Sequence, residues 1–78
     1  MNYNNTQKEV IRIISDILNL PEAELTPEKS FTNDLGCDSL DLMEIITVIE
    51  KNFNLKISDQ EAEKVKTLED LLNHFKDE

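Results

Sequence analysis

Asp38, Ser39 and Asp41, at the head of one strongly apolar segment, are the side chains whose types and spacing could do chemistry together. Gly36 lets the backbone turn freely just before them. Asp38 suits the position in front of a helix, where its carboxylate accepts hydrogen bonds from the first free amides, and Asp41 falls in the first turn. Ser39 is then the first helical residue, its hydroxyl exposed at the positive end of the helix dipole. Unpaired N–H groups and the dipole both stabilise negative charge there, so the position favours a phosphate. Local capping alone also accommodates a plainer account, in which Asp38 is a cap and Ser39 has no special role.

Other reactive groups are few. Cys37, Ser39 and the lone His74 supply a nucleophile and a base in principle, but no Gly-x-Ser-x-Gly elbow is present and 78 residues leave little room for a catalytic scaffold. The chain reads as a non-enzyme. A calcium loop ending on Glu44 would put Leu35 at a ligand position and Asp38 where that loop requires glycine, so no metal site is expected. Cys37 is the only cysteine, which excludes an intramolecular disulfide and fits a reducing compartment. If exposed, it would form oxidative dimers. His74 falls near the end of the last helix, where the dipole favours a cation.

The elements that position these groups are helical. Thr6 with Glu9 has capping-box spacing, and Val10, Ile13, Ile14, Ile17 and Leu18 recur on one face, so helix I is expected over about 5–18. Pro21 and Pro27 forbid a continuous helix beyond it. A long loop over about 19–38 follows, anchored by Leu20, Leu25, Phe31 and Leu35. Helix II runs from Ser39 to about 52 or 53, and Asn54, Leu55 and Lys56 make a short link. Ser58 with Glu61 caps a short helix III over about 59–64, and Thr67 with Asp70 opens helix IV, which carries Leu68, Leu71, Leu72 and Phe75 on one face. The expected fold is all-α: a small four-helix bundle with three longer helices, one short helix III and a long loop between helices I and II.

Helix II has two apolar sectors. At about 100° per residue, Leu42, Ile45, Ile46, Ile49 and Phe53 lie within an arc of roughly 100°, wide enough for a core-facing stripe. Leu40, Met43 and Thr47 lie roughly opposite, with Glu44 and Lys51 at the edge of that sector and Glu50 near the other side. Isolated apolar residues on a surface are common, and a loop can also cover such a face. The alternative is a docking face with an apolar centre and a rim of Asp38, Asp41, Glu44 and Glu50, in which charge speeds encounter and apolar area holds the complex.

Composition narrows the class. Seventy-eight residues suit one domain spanning 1–78, and 38% apolar residues with one Gly and two Pro suit packed helices better than a sheet. Seventeen acidic residues against eight basic ones give a formal net charge of −9, which repels nucleic acid and anionic membranes and attracts basic protein surfaces. The N-terminus lacks the basic, apolar start of a secretory signal, and no apolar run has the length of a membrane span. A cytoplasmic monomer without stable membrane insertion is expected.

Leu35-Gly36-x-Asp38-Ser39-Leu40-Asp41-x-x-Glu44, followed by Phe53, Ile57, Glu61-Ala62-Glu63-Lys64-Val65 and Thr67 in order, resembles the acyl carrier proteins of dissociated (type II) fatty-acid synthesis from about residue 6 to the end. The resemblance implies that Ser39 is esterified by 4′-phosphopantetheine taken from coenzyme A, with Asp38 assisting attachment, and that the terminal thiol carries growing acyl chains as thioesters. Asp38 and Asp41 repel the phosphate that the helix terminus attracts, so the covalent bond is what holds the group. The implied partners are a phosphopantetheinyl transferase and fatty-acid synthesis enzymes with basic docking patches, meeting Leu40, Asp41, Met43, Glu44, Thr47 and Glu50. The implied acyl pocket lies between helices II and III, lined by Phe31, Ile46, Ile57, Ala62, Val65 and Leu71, each also a core candidate. Lys51, Asn52, Asn54 and Lys56, where many relatives are more acidic, and Ser58, where relatives often have Pro, leave room for a carrier in polyketide, aminoacyl or specialised lipid synthesis. A helical adaptor without a prosthetic group is the alternative from another class.

Overall fold

The computed structural model describes residues 3–76. Helix α1, Asn5–Leu18, has the expected span but a different cap. Asn4 accepts from the Gln7 amide at 2.7 Å, and the Gln7 side chain accepts from the Asn4 amide at 3.0 Å. Thr6 and Glu9 share that spacing, but carboxamides donate as well as accept. Asn4 Nδ2 donates to the Phe75 carbonyl at 2.7 Å and Gln7 Nε2 to that of Leu72 at 3.1 Å, so one pair caps α1 and covers free carbonyls at the far end of the chain. Glu9 instead pairs with Arg12.

Asn19 ends α1 in the left-handed region, at φ 58°, and a single 3₁₀ turn over Glu22–Glu24 follows Pro21. Leu25 and Phe31 are buried, as their role as anchors requires, while Leu20 and Leu35 are partly covered. The loop is more ordered than its composition suggests. Ser30 and Thr67 form an isolated antiparallel bridge, the Phe31 amide donates to the Lys66 carbonyl at 3.0 Å and the Leu68 amide to that of Lys29 at 3.0 Å. The loop is thereby stitched to the link between the last two helices.

Helix α2 is Ser39–Phe53, α3 is Asp59–Glu63 and α4 is Leu68–Leu72, the last continuing as a 3₁₀ turn over Asn73–Phe75. Ser58 with Glu61 and Thr67 with Asp70 form the expected capping boxes. Four α-helices among the described residues, in an all-α arrangement, agree with the sequence, except that helix IV is short. Its α-helical part has five residues, because the final turn tightens where Asn4 and Gln7 hold the carbonyls of Phe75 and Leu72. The core joins Val10, Ile11 and Ile14 of α1, Ile45 and Ile49 of α2, and Leu68, Leu71 and Leu72 of α4, with Phe53 and Phe75 rings packed at 5.6 Å between centroids. No helix among the described residues is long and apolar enough to cross a membrane.

Candidate functional site

Gly36 makes the turn into α2 at φ 73°, and a Cβ there would meet nothing within 4 Å, so conformation and not space calls for glycine. The next residue fastens the turn: the Cys37 amide donates to the Phe31 carbonyl at 2.8 Å and its side chain is buried. Burial, followed by the charges of Asp41 and Asp38, pushes the thiol's pKa up. Cys37 therefore lacks the exposure on which oxidative dimerisation depends. Asp38 Oδ1 accepts from the Asp41 amide at 2.9 Å and Asp41 Oδ2 from the Asp38 amide at 3.2 Å, a reciprocal box that occupies one oxygen of each carboxylate. Ser39 follows as the first residue of α2, exposed, and its hydroxyl makes no hydrogen bond among the described residues. A free primary hydroxyl at the start of a fifteen-residue helix is an accessible oxygen nucleophile.

A groove of about 860 Å³ opens beside that hydroxyl. Its floor is apolar, from Phe31, Leu42, Ile46, Ala62 and Val65, and its rim is polar, from Asn33, Ser39, Asp59, Glu63 and Lys66 among others. Four of the six residues expected around a pocket between helices II and III thus line this one groove. Ile57 lies on a smaller crevice of about 200 Å³ next to it, which Ile46 and Ala62 also line. Leu71 is wholly enclosed among core residues and borders neither space. Leu42 and Met43 line the groove without having been singled out for it. Leu42 sits at the edge of the core stripe of α2, a signal that periodicity carries but does not separate from packing.

The opposite sector of α2 is open. Leu40 and Met43 are 75% and 62% exposed, the two largest exposures among the described large hydrophobic side chains. Glu44 and Thr47 are exposed beside them and Asp41 is half-buried. Glu50 differs from the rest of the rim: its carboxylate accepts from the Ile57 amide at 2.7 Å. His74 Nδ1 lies 4.0 Å from Glu61 Oε2, so it faces α3 and not only the end of its own helix. No group of three or more metal-ligating side chains occurs among the described residues.

Residues 8–75 match the family described as phosphopantetheine attachment site. The chain is 44% identical over 69 residues to an acyl carrier protein of Porphyromonas gingivalis, covering 88% of each, and 39% identical over 70 residues to one of Helicobacter pylori, covering 90% of each. This chain belongs to the acyl carrier protein family. A solved structure described as an acyl carrier protein from Mycobacterium tuberculosis superposes with a TM-score of 0.80 at 31% identity, covering 87% of this chain and 90% of that one. Membership makes the chain a carrier and not an enzyme, with a covalent 4′-phosphopantetheine, acyl cargo, and synthesis enzymes and a transferase as its partners. The residues present fit that group: a hydroxyl free of internal bonds at a helix start, beside a groove with an apolar floor.

Proposed function

We propose that this chain carries growing fatty acyl chains during fatty-acid synthesis, as thioesters on a 4′-phosphopantetheine joined to Ser39, working as a single-domain cytoplasmic monomer. The observation that carries the reading is the exposed, unbonded Ser39 hydroxyl at the rim of the apolar groove. The bound group supplies a flexible arm ending in a thiol. Ser39 Oγ provides the ester oxygen: it bonds to the phosphorus next to the pantetheine arm of coenzyme A as the pyrophosphate P–O bond breaks, adenosine 3′,5′-bisphosphate leaves, and the transferase accepts the serine proton. Asp38 assists through the carboxylate oxygen that its cap leaves free, and holds Ser39 at the helix start.

Cargo favours the groove because burial stabilises an alkyl chain by about 0.8 kcal/mol per methylene, so an octanoyl chain gains up to ~5 kcal/mol. Phe31, Ile46, Ala62 and Val65 make the floor for it, with Ile57 at the adjoining crevice. Leu71 supports that floor from the core. Leu40 and Met43 supply area for docking, while Asp41, Glu44, Thr47 and Glu50 set orientation against a basic enzyme surface. Methyl NMR of acetyl and octanoyl forms tests the groove: the longer chain moves Ile46 and Val65 signals and leaves Leu40 in place. Unchanged Ile46 and Val65 signals contradict the groove assignment. Thioesters recovered from the native cell test the pathway. Saturated and β-oxidised fatty intermediates support it, and aminoacyl or polyketide cargo alone refutes it.

A further inference from the structure

Glu50 is committed in a way that a rim position does not require. Its Oε2 accepts from the Ile57 amide at 2.7 Å, tying α2 to the link before α3. Among the described residues no other hydrogen bond reaches that amide, and the Ile57 side chain is buried. The contact lies at the small crevice, walled by Met43, Ile46 and Thr47 on one side and by Ile57, Asp59 and Ala62 on the other. Met43, Ile46, Asp59 and Ala62 also border the large groove, so the crevice continues it past Ile46.

Helix α3 has only five residues, far below the length at which a helix holds itself. Its position depends on tethers: the Ser58–Glu61 box at its start, the approach of Glu61 to His74, and the Glu50 bond just ahead of it. Of these, only the Glu50 bond reaches α2, the opposite wall of the groove. Lys56 borders the same crevice but forms no ion pair with Glu50 among the described residues, so the charge of Glu50 rests on a backbone amide alone. An incoming guanidinium or ammonium group competes well for such a carboxylate.

We infer that Glu50 is a positioning residue that latches α3 to α2, and that a cation of a docking enzyme, by taking the Glu50 carboxylate, frees the Ile57 amide and opens the groove to its cargo. The inference rests on the carrier reading above, since the latch acts on an acyl chain in the groove.

The test compares wild type, Glu50→Ala, Glu50→Gln and the distant charge control Asp16→Asn. Hydrogen exchange of the Ile57 amide is read on the unmodified chain, and hydroxylamine cleavage on its acetyl and octanoyl thioesters without any partner. In Glu50→Ala, Ile57 exchange rises about tenfold or more, the loss of one strong hydrogen bond, and octanoyl cleavage rises about fivefold toward the acetyl rate, as expected for a local opening. Acetyl cleavage stays at the wild-type rate, and Asp16→Asn changes neither. Glu50→Gln keeps an acceptor and falls between, and it carries the test if the alanine variant does not fold. Adding a phosphopantetheinyl transferase without coenzyme A to the unmodified wild type raises Ile57 exchange. Unchanged Ile57 exchange in Glu50→Ala, equal acceleration of acetyl and octanoyl cleavage, or an Ile57 amide still protected in the transferase complex overturns the latch. A chain that cannot be loaded at all refutes the carrier reading instead, and the exchange experiment on unmodified protein still judges the latch.

Discussion

Asp38 caps α2, and the role in attachment proposed for it is separable from that cap by substitution. Its Oδ1 holds the Asp41 amide at 2.9 Å, while Asp41 returns a bond to the Asp38 amide at 3.2 Å. Asp38→Ala removes the first bond and leaves the second, so the loss is that of one N-cap, about 1 kcal/mol. For a domain of this size that lowers the melting temperature by about 4–8 °C. Asp38→Ser restores a side-chain oxygen of equal capping rank, so its stability stays within ~0.5 kcal/mol of wild type. Neither variant keeps the carboxylate assigned to attachment, so transfer from coenzyme A slows about tenfold or more in both if that charge helps bind Mg²⁺ beside Ser39. Urea denaturation gives the stability and intact-mass time courses give the loading rate, on the same preparations. Loading of Asp38→Ser at the wild-type rate would refute the attachment role, and a serine variant as unstable as the alanine one would refute the capping argument.

Three other expectations concern stability and docking. Gln7→Ala loses the bonds to Asn4 and to the Leu72 carbonyl, at 3.0 and 3.1 Å, and should cost about 1–3 kcal/mol in urea titrations; a cost near zero means that the clamp between the two chain ends is idle. Backbone hydrogen bonds, from Lys66 then Thr67 to Asp70 and from Ser58 to Glu61, hold both carboxyls below their usual pKa range. The unfolded chain then binds more protons, so this stabilisation is complete above about pH 5 and is lost as pH falls below about 4; urea midpoints should drop there, and less steeply in Asp70→Asn. Glu44→Lys should slow turnover by partner enzymes more than Lys51→Glu does, with unchanged far-UV circular dichroism, and the reverse order would move the docking face.

Much of the fold was legible because its signals are local. The starts of α2, α3 and α4 follow from Asp38–Asp41, Ser58–Glu61 and Thr67–Asp70, all pairs three residues apart, with Gly36 making the turn before the first. The same reasoning chose the wrong cap for α1, because Thr6–Glu9 and Asn4–Gln7 have equal spacing and only contact with Leu72 and Phe75 separates them. The bridge from Ser30 to Thr67 and the bond from Glu50 to Ile57 leave no periodic trace either. For the site, the exposure of Leu40 and Met43 was readable from their angle on the helix. Whether Leu71 or Leu42 meets the groove was not, since both belong to apolar stripes and only assembled packing shows which one reaches its wall.

The central claim is tested most directly by intact-mass spectrometry after incubation with coenzyme A, Mg²⁺ and a phosphopantetheinyl transferase. Wild type should gain the mass of one phosphopantetheinyl group, located on Ser39 by fragmentation, and Ser39→Ala should gain none. An unmodified wild type, or an alanine variant that still becomes heavier, contradicts the account.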